Sequence, residues 1–244
     1  MEVVVENKKQ PPRTDVWQMF DRIAGRYDLL NRLLSFGQDI RWRKGVGQFL
    51  ANQENQYLLD LATGTGDQLL YLFQSSTKID RAIGTDLSKK MLEIGREKIE
   101  KHRLNKRITL QEGSAEQIEF PDNRFDAVTI SFGIRNVASV SQALSEMYRV
   151  LKPSGRVLIL EFSIPQNRLM RKIYLLYFRY VLPALGSLIS GDGYAYKYLN
   201  ETVETFPYGD DFCHLLVKSG FQKVFMSPMT FGIATIYMGE KDSD

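Results

Sequence analysis

Cysteine, histidine and tryptophan are the scarcest residues in this chain of 244. Cys213 is the only cysteine, so no internal disulfide can form, and a reducing compartment is the simple expectation. The two histidines are His102, among Lys101, Arg103 and Lys106, and His214, inside a helical pattern. The first reads as a surface residue and the second as structural, so a histidine base is not expected. No His or Cys cluster has metal-ligand spacing. Charge of one sign is also missing: 32 Lys and Arg face 29 Asp and Glu, a net +3. That balance supplies no concentrated basic stripe, so nucleic acid is not an expected partner. Met1 to Arg13 is polar and carries Pro11-Pro12, so a signal or transit peptide is not expected. Residues 1–13 read as a flexible tail, and the expectation is a cytoplasmic, bacterial protein. A clean membrane span is absent too. Arg168 to Ser190 is apolar and aromatic, but Arg171, Lys172 and Arg179 interrupt it, and Pro183 and Gly186 break it.

What is present is an ordinary globular composition, 43% hydrophobic and 25% charged, enough for a sizeable core. The most informative stretch is Asp60-Leu-Ala-Thr-Gly64-Thr65-Gly66-Asp67, followed by Ala82-Ile-Gly-Thr-Asp86. An apolar run enters a glycine-rich turn, a helical pattern leaves it, and a second apolar run ends in an acid. This is the layout of a nucleoside-cofactor site in a βαβ unit. Glycine lets the backbone approach a ligand, and Asp86 is placed to hold two ribose hydroxyls. A dinucleotide fingerprint wants a third glycine where this chain has Leu69. Asp67 also stands where a pyrophosphate would dock and would repel it. A cationic sulfonium without phosphate suits the turn better, so S-adenosylmethionine is the expected cofactor, ahead of a dinucleotide. The bland alternative is a βα turn that binds nothing.

Periodicity organises the rest. Residues 14–50 read as a helical cap, with Val16, Phe20 and Ile23 on one face and Gly25 and Gly37 as interruptions. Strands are expected at 57–62, 80–86, 107–112, 125–131 and 156–162, with helices at about 67–75, 88–103 and 139–151. Ser88 is a good N-cap, Met91, Leu92, Gly95 and Ile99 should face inward, and Lys152-Pro153-Ser154-Gly155 reads as a stop. Residues 57–162 form the alternating core. Residues 165–199 form a helical insertion, read either as ordinary buried helix or as a lipophilic substrate channel or membrane-touching helix. Residues 201–241 add a helix with a turn at Pro207-Tyr-Gly209, then strands at 220–227 and 231–239. The expected fold is α/β, a Rossmann-like doubly wound sheet, mostly parallel with an antiparallel C-terminal strand. With its helical cap and helical insertion, this is the class I S-adenosylmethionine-dependent methyltransferase architecture, one domain over 14–244.

Four blocks resemble the ubiquinone/menaquinone biosynthesis C-methyltransferases, of demethylmenaquinone methyltransferase type, from Trp17 to Lys241. They are Met19-Phe-Asp-Arg-Ile-Ala-Gly-Arg-Tyr27-Asp28-Leu-Leu-Asn31; the glycine turn with Asp86-Leu-Ser; Phe132-Gly133-Ile-Arg135-Asn136; and Glu146-Met-Tyr-Arg149-Val-Leu-Lys-Pro153 with Leu160-Glu161-Phe-Ser163 and Ser190-Gly191-Asp192. The resemblance implies methyl transfer from S-adenosylmethionine to a ring carbon of a polyprenylated quinol: demethylmenaquinol, a demethylated benzoquinol precursor of ubiquinone, or both. Carried over by motif, the cofactor contacts are Asp60, Gly64, Thr65, Gly66, Asp86, Leu87, Ser114, Ala115 and Ser131. Ser114 and Asn200 depart from the commoner asparagine or aspartate and the usual proline at those positions. Arg135 is the expected stabiliser of a phenolate, with a water or Asp28 relaying the proton. Asn136 is expected on a quinol oxygen, and Tyr27 and Asp28 over the ring. Peripheral contact with the inner face of the cytoplasmic membrane and a homodimer are further expectations. Rival readings are a methyltransferase of another small molecule and a non-catalytic cofactor-binding scaffold of a quinone-synthesis complex. Turnover with cofactor bound separates them.

Overall fold

The computed structural model describes residues 16–184, 186 and 193–243. The tail read at 1–13 and the Ser190-Gly191-Asp192 part of the fourth block lie outside the described residues. Seven strands form one sheet in the order β3-β2-β1-β4-β5-β7-β6. β1 (Gln56–Leu61), β2 (Ile79–Asp86), β3 (Ile108–Glu112), β4 (Phe125–Ser131) and β5 (Leu151–Phe162) pair in parallel. β7 (Ala234–Glu240) runs antiparallel between β5 and β6 (Gln222–Met229). The central strands are apolar on both sides because helices cover both faces, as a parallel sheet requires. Alternate residues feed opposite layers. Leu59, Leu61, Val128, Ile130, Val157 and Ile159 pack on Ala143, Leu144 and Met147 of α5 (Val140–Val150) and on Phe212 and Leu216. Leu58, Ala127, Leu158 and Leu160 pack on Leu69 and Leu72 of α3 (Asp67–Ser75), on Leu92 and Ile99 of α4 (Lys89–Lys101), and on Trp42 and Val46 of α2 (Gln38–Val46).

The strand order reverses at β1 and β4, so their carboxyl ends open a crevice, the usual ligand position in such sheets. Over it lies α1 (Val16–Leu34), whose Val16, Met19, Ile23 and Leu30 pack on Tyr174, Phe178 and Leu182 of the insertion. The insertion consists of α6 (Arg168–Leu176), a π-helical stretch at Tyr177–Val181, and α7 (Gly193–Thr205). The chain then turns at 206–209 into α8 (Asp210–Lys218).

Ser88 caps α4 as expected: its hydroxyl accepts from the Met91 N–H at 3.2 Å, and Met91, Leu92, Gly95 and Ile99 are buried. Three expectations need correction. Gly25 does not interrupt α1, which runs through it; only Gly37 breaks the cap, in a left-handed turn. Lys152–Gly155 ends α5 but does not lie outside the sheet. β5 starts at Leu151, and pairing jumps from Phe125↔Leu151 to Ala127↔Arg156 across a bulge. The late strands sit one to three residues further on than read, because the tight turn occupies Thr230–Gly232.

Leu69, standing where a dinucleotide fold keeps glycine, is accommodated by glycine across from it. A Cβ at Gly84 would lie 2.6 Å from Leu110, 2.8 Å from Thr63 Oγ1 and 3.0 Å from Leu69. Gly84→Ala should therefore destabilise the protein by about 1–3 kcal/mol, as overpacking does. Gly25→Ala meets no atom within 4 Å, and should stabilise α1 by about 1 kcal/mol through helix propensity alone. Urea unfolding of the two variants checks the opposite signs.

Candidate active site

The chain leaves β1 through a sequence of left-handed residues, Ala62, Gly64 and Gly66. A Cβ on Gly64 would meet nothing within 4 Å, so the turn presents bare backbone to open space. The Gly64 N–H donates to Asp86 Oδ2 at 2.8 Å, and the Ser88 N–H donates to Asp86 Oδ1 at 2.8 Å. These two donors fix the carboxylate at the end of β2 and oppose the upward push of burial on its pKa. Beside it Leu87 is exposed, an apolar surface next to a fixed acid. Gly113 follows β3 with a Cβ position 3.2 Å from Thr85, and the buried Thr85 hydroxyl has no partner. Ser114 Oγ accepts from the Glu116 N–H at 3.1 Å, and Ala115 is half-buried against the core. A fixed carboxylate, an apolar neighbour and open glycine backbone fit a nucleoside cofactor.

Several predicted contacts are already committed within the protein. Asp60 accepts from Thr63 Oγ1 at 2.6 Å and from the Thr129 hydroxyl, and is buried beneath the turn. Ser131 Oγ donates to Gln68 Oε1 at 2.8 Å, and Gln68 Nε2 donates to the Arg43 carbonyl at 3.1 Å. Thr65 Oγ1 donates to Asp28 Oδ1 at 2.6 Å and accepts from Lys98 Nζ at 3.1 Å. Asp28 also accepts from Lys98 at 2.8 Å. It thus ties α1 to the glycine turn instead of facing the cavity described below. Asp67 is not the bare anion its position suggests. Lys98 bonds one oxygen, and Arg32 reaches the other at 3.2 Å while bridging to Asp39 at 3.0 Å. No local sequence signal joins Lys98 and Arg32 to Asp67, 31 and 35 residues away, or Gln68 to Ser131, 63 residues away.

On the other side of the crevice lies a cavity of about 370 Å³. Its walls are overwhelmingly apolar and come from α1, α2, the insertion and the β6–β7 turn. Tyr27 lines it, edge-on to Phe20 at 5.9 Å. Phe132, at the end of β4, lines the cavity as well. It is left-handed, with φ near 60°, and its N–H donates to the Leu160 carbonyl at 2.7 Å. Its ring faces the cavity, while a Cβ on the next residue, Gly133, would lie 2.6 Å from Ala62 of the turn. Arg135 lines the same cavity and is only 5% exposed. Its Nη1 donates to Glu161 Oε1 at 2.6 Å and to the Phe132 carbonyl at 2.7 Å, with the guanidinium 5.3 Å over the Phe162 ring. Burial pushes the Glu161 carboxyl up, and the Arg135 charge pulls it back. Asn136 does not line the cavity. Its Nδ2 reaches the Phe132 carbonyl at 3.4 Å and its Oδ1 accepts from Tyr198 Oη at 3.2 Å. His102 and His214 are exposed and remote from the cavity lining. Glu161 lay inside a quoted block without a role; only the folded strand brings it beneath Arg135.

Burial raises the Asp60 pKa from 3.8 to about 6. The folded chain therefore holds that proton more tightly than the unfolded chain. Its stabilising contribution is complete below pH 4 and is lost as pH rises through 6, at about 1.4 kcal/mol per pH unit across the window. Asp60→Asn should remove this slope. Urea unfolding from about pH 4 to 7 should show the wild type losing ground to the variant as pH rises; a difference independent of pH would contradict it.

The ubiquinone/menaquinone biosynthesis C-methyltransferase of Geobacter sulfurreducens is 49% identical over 223 residues, 91% of this chain and 87% of that protein. The demethylmenaquinone methyltransferase of Bacteroides fragilis is 42% identical over 226 residues, 93% and 92% of the two chains. Among solved structures, a SAM-dependent methyltransferase from Thermotoga maritima matches the fold with a TM-score of 0.65 at 20% identity, covering 93% of this chain and 99% of its own. The family match runs over residues 3–241, nearly the whole length, and the chain belongs to the ubiE/COQ5 methyltransferase family.

Proposed function

We propose that the chain transfers a methyl group from S-adenosylmethionine to a ring carbon of a polyprenylated quinol, either demethylmenaquinol or a demethylated benzoquinol precursor of ubiquinone, or both. The observation that carries this reading is the apolar cavity, which meets the glycine turn at Phe132–Gly133 and holds a buried guanidinium. S-adenosylmethionine is the cofactor, and when bound it supplies an electrophilic methyl group. Gly64 and Gly66 let it approach the backbone, Asp86 holds its ribose hydroxyls, and Leu87 packs beside them. The chain's own task is to raise electron density on the acceptor carbon. A phenol with a pKa near 10 is mostly protonated at neutral pH. Arg135 stabilises its ionised form in a site where water is scarce and charge is felt strongly. Glu161 keeps the guanidinium in place, Tyr27 closes over the ring, and water takes the proton. Asp28, engaged by Thr65 and Lys98, acts on the cap rather than on the proton. Asn136 orients the Phe132 carbonyl and Tyr198.

The same reading gives the insertion its outer surface. Leu169 and Leu176 are 67% and 63% exposed, Ile173 stands between them, and Arg168, Arg171 and Lys172 flank them on the surface. No helix among the described residues is long and apolar enough to cross a membrane. This face instead rests on an anionic bilayer, from which a polyprenyl quinol enters the cavity.

Labelled methyl should pass to short-chain demethylmenaquinol or to the demethylated benzoquinol. Removing the buried pair together, Arg135→Met with Glu161→Gln, avoids leaving a lone buried charge. It should lower kcat by about 10²–10³-fold, with cofactor affinity unchanged by calorimetry. No transfer to either quinol by the cofactor-bound wild type would refute the assignment. In sedimentation with vesicles containing anionic lipid, Leu169→Ser with Leu176→Ser should weaken binding by at least about tenfold, from the lost apolar burial. Raised salt should weaken the wild type too.

A further inference from the structure

Buried polar groups without partners are rare in native proteins, since each costs about 1–3 kcal/mol. Among the described residues such side-chain atoms include Arg43 Nε, Arg135 Nε and Tyr174 Oη, and all three residues line the one apolar cavity. The guanidinium nitrogens can only donate, and a tyrosine hydroxyl can donate. Three donors with nothing to receive them, on residues that wall a single apolar space, suit a ligand with acceptor oxygens on a greasy body. Arg43 is partly accounted for, because its guanidinium lies 5.2 Å over the Phe132 ring.

Tyr174 has no such account. It sits on α6 with 6% of its surface exposed, stacked on Phe178 at 5.1 Å and packed among the apolar residues of α1. Its neighbours in the fold use their hydroxyls: Tyr177 donates to the Leu34 carbonyl at 2.9 Å, and Tyr198 to Asn136. A phenylalanine would pack equally well at 174 and would leave nothing unsatisfied. Arg135 and Glu161 are close enough to act on the Tyr174 phenol electrostatically. Burial pushes its pKa far above the ordinary value, so the hydroxyl keeps its proton and serves as a donor, not as a base.

Resting on the quinol reading of this cavity, we propose that Tyr174 is a substrate-binding and specificity residue. Its hydroxyl donates to the ring oxygen of the acceptor that Arg135 does not hold, and so selects a ring carrying two oxygens. A buried donor of this kind discriminates strongly against an analogue that lacks its acceptor, because the donor is then left unpaired.

The test compares full-length wild type, Tyr174→Phe and a control, Tyr148→Phe, on the far side of the sheet. Without acceptor, Tyr174→Phe should unfold at the same urea concentration as wild type or a higher one. With saturating S-adenosylmethionine and short-chain demethylnaphthoquinol kept reduced, its kcat/KM should fall about 10–100-fold, mostly through KM. Cofactor affinity should stay the same. In competition assays the wild type should prefer 1,4-naphthalenediol to 1-naphthol, and Tyr174→Phe should lose most of that preference. Loss of stability with unchanged KM and unchanged preference would make the hydroxyl structural and overturn the proposal alone. A wild type that neither binds nor methylates the quinol would overturn the substrate reading and the Tyr174 role with it. Tyr148→Phe should match wild type throughout.

Discussion

The buried pair of Arg135 and Glu161 is the constraint around which the rest of the site is arranged. Taking a guanidinium out of water costs several kcal/mol unless its charge and its donors are matched. Glu161 matches the charge at 2.6 Å, and the Phe132 carbonyl takes a second bond from the same nitrogen. Glu161 is in turn held by the Phe162 N–H at 2.8 Å. Through these bonds the pair locks the ends of β4 and β5 together. It also holds Phe132 in a left-handed conformation that a bulky residue does not adopt unaided. The strain sits beside the point where Gly133 abuts Ala62 of the glycine turn, on the wall of the apolar cavity.

The cofactor side obeys a different logic. Its polar side chains mostly face inward and bind one another, which leaves the glycine backbone bare and one carboxylate fixed at the end of β2. Asp60 with two threonines, Ser131 with Gln68, and Thr65 with Asp28 and Lys98 are struts of this kind. Close packing is achieved by exchanging sizes: a leucine occupies the helix position where a dinucleotide site keeps glycine, and glycines in β2 and α4 make room for their neighbours.

Periodicity and turn chemistry made the alternating core legible, because each central strand is a short apolar run bounded by turn residues. The Ser88 cap and the inward face of α4 followed from the same local rules. Legibility ended where partners are distant. Nothing near Asp67 announces Lys98 or Arg32, so the acid read as an uncompensated charge. Nothing near Arg135 announces Glu161, which another strand delivers from 26 residues away. The bulge at Lys152–Gly155 was hidden for another reason. Proline and glycine do end a helix there, but the sheet absorbs the irregularity by a jump in register, which is a property of two strands and not of one. Tyr174 was hidden within an apolar run, where its ring fits the pattern and its hydroxyl leaves no trace.

One consequence lies in how α1 is fastened. Toward the glycine turn it is held by Asp28, Arg32, Lys98 and Asp67, all partly exposed. Toward the insertion it is held by Val16, Met19, Ile23 and Leu30, packed in an apolar cluster. Dissolved ions weaken the first attachment, whereas salts such as sulfate strengthen the second. The two sides of one helix thus answer oppositely to such salts. A salting-out ion that screens the charged bonds therefore tightens the apolar ones, so salt of that kind never loosens the helix on both sides at once.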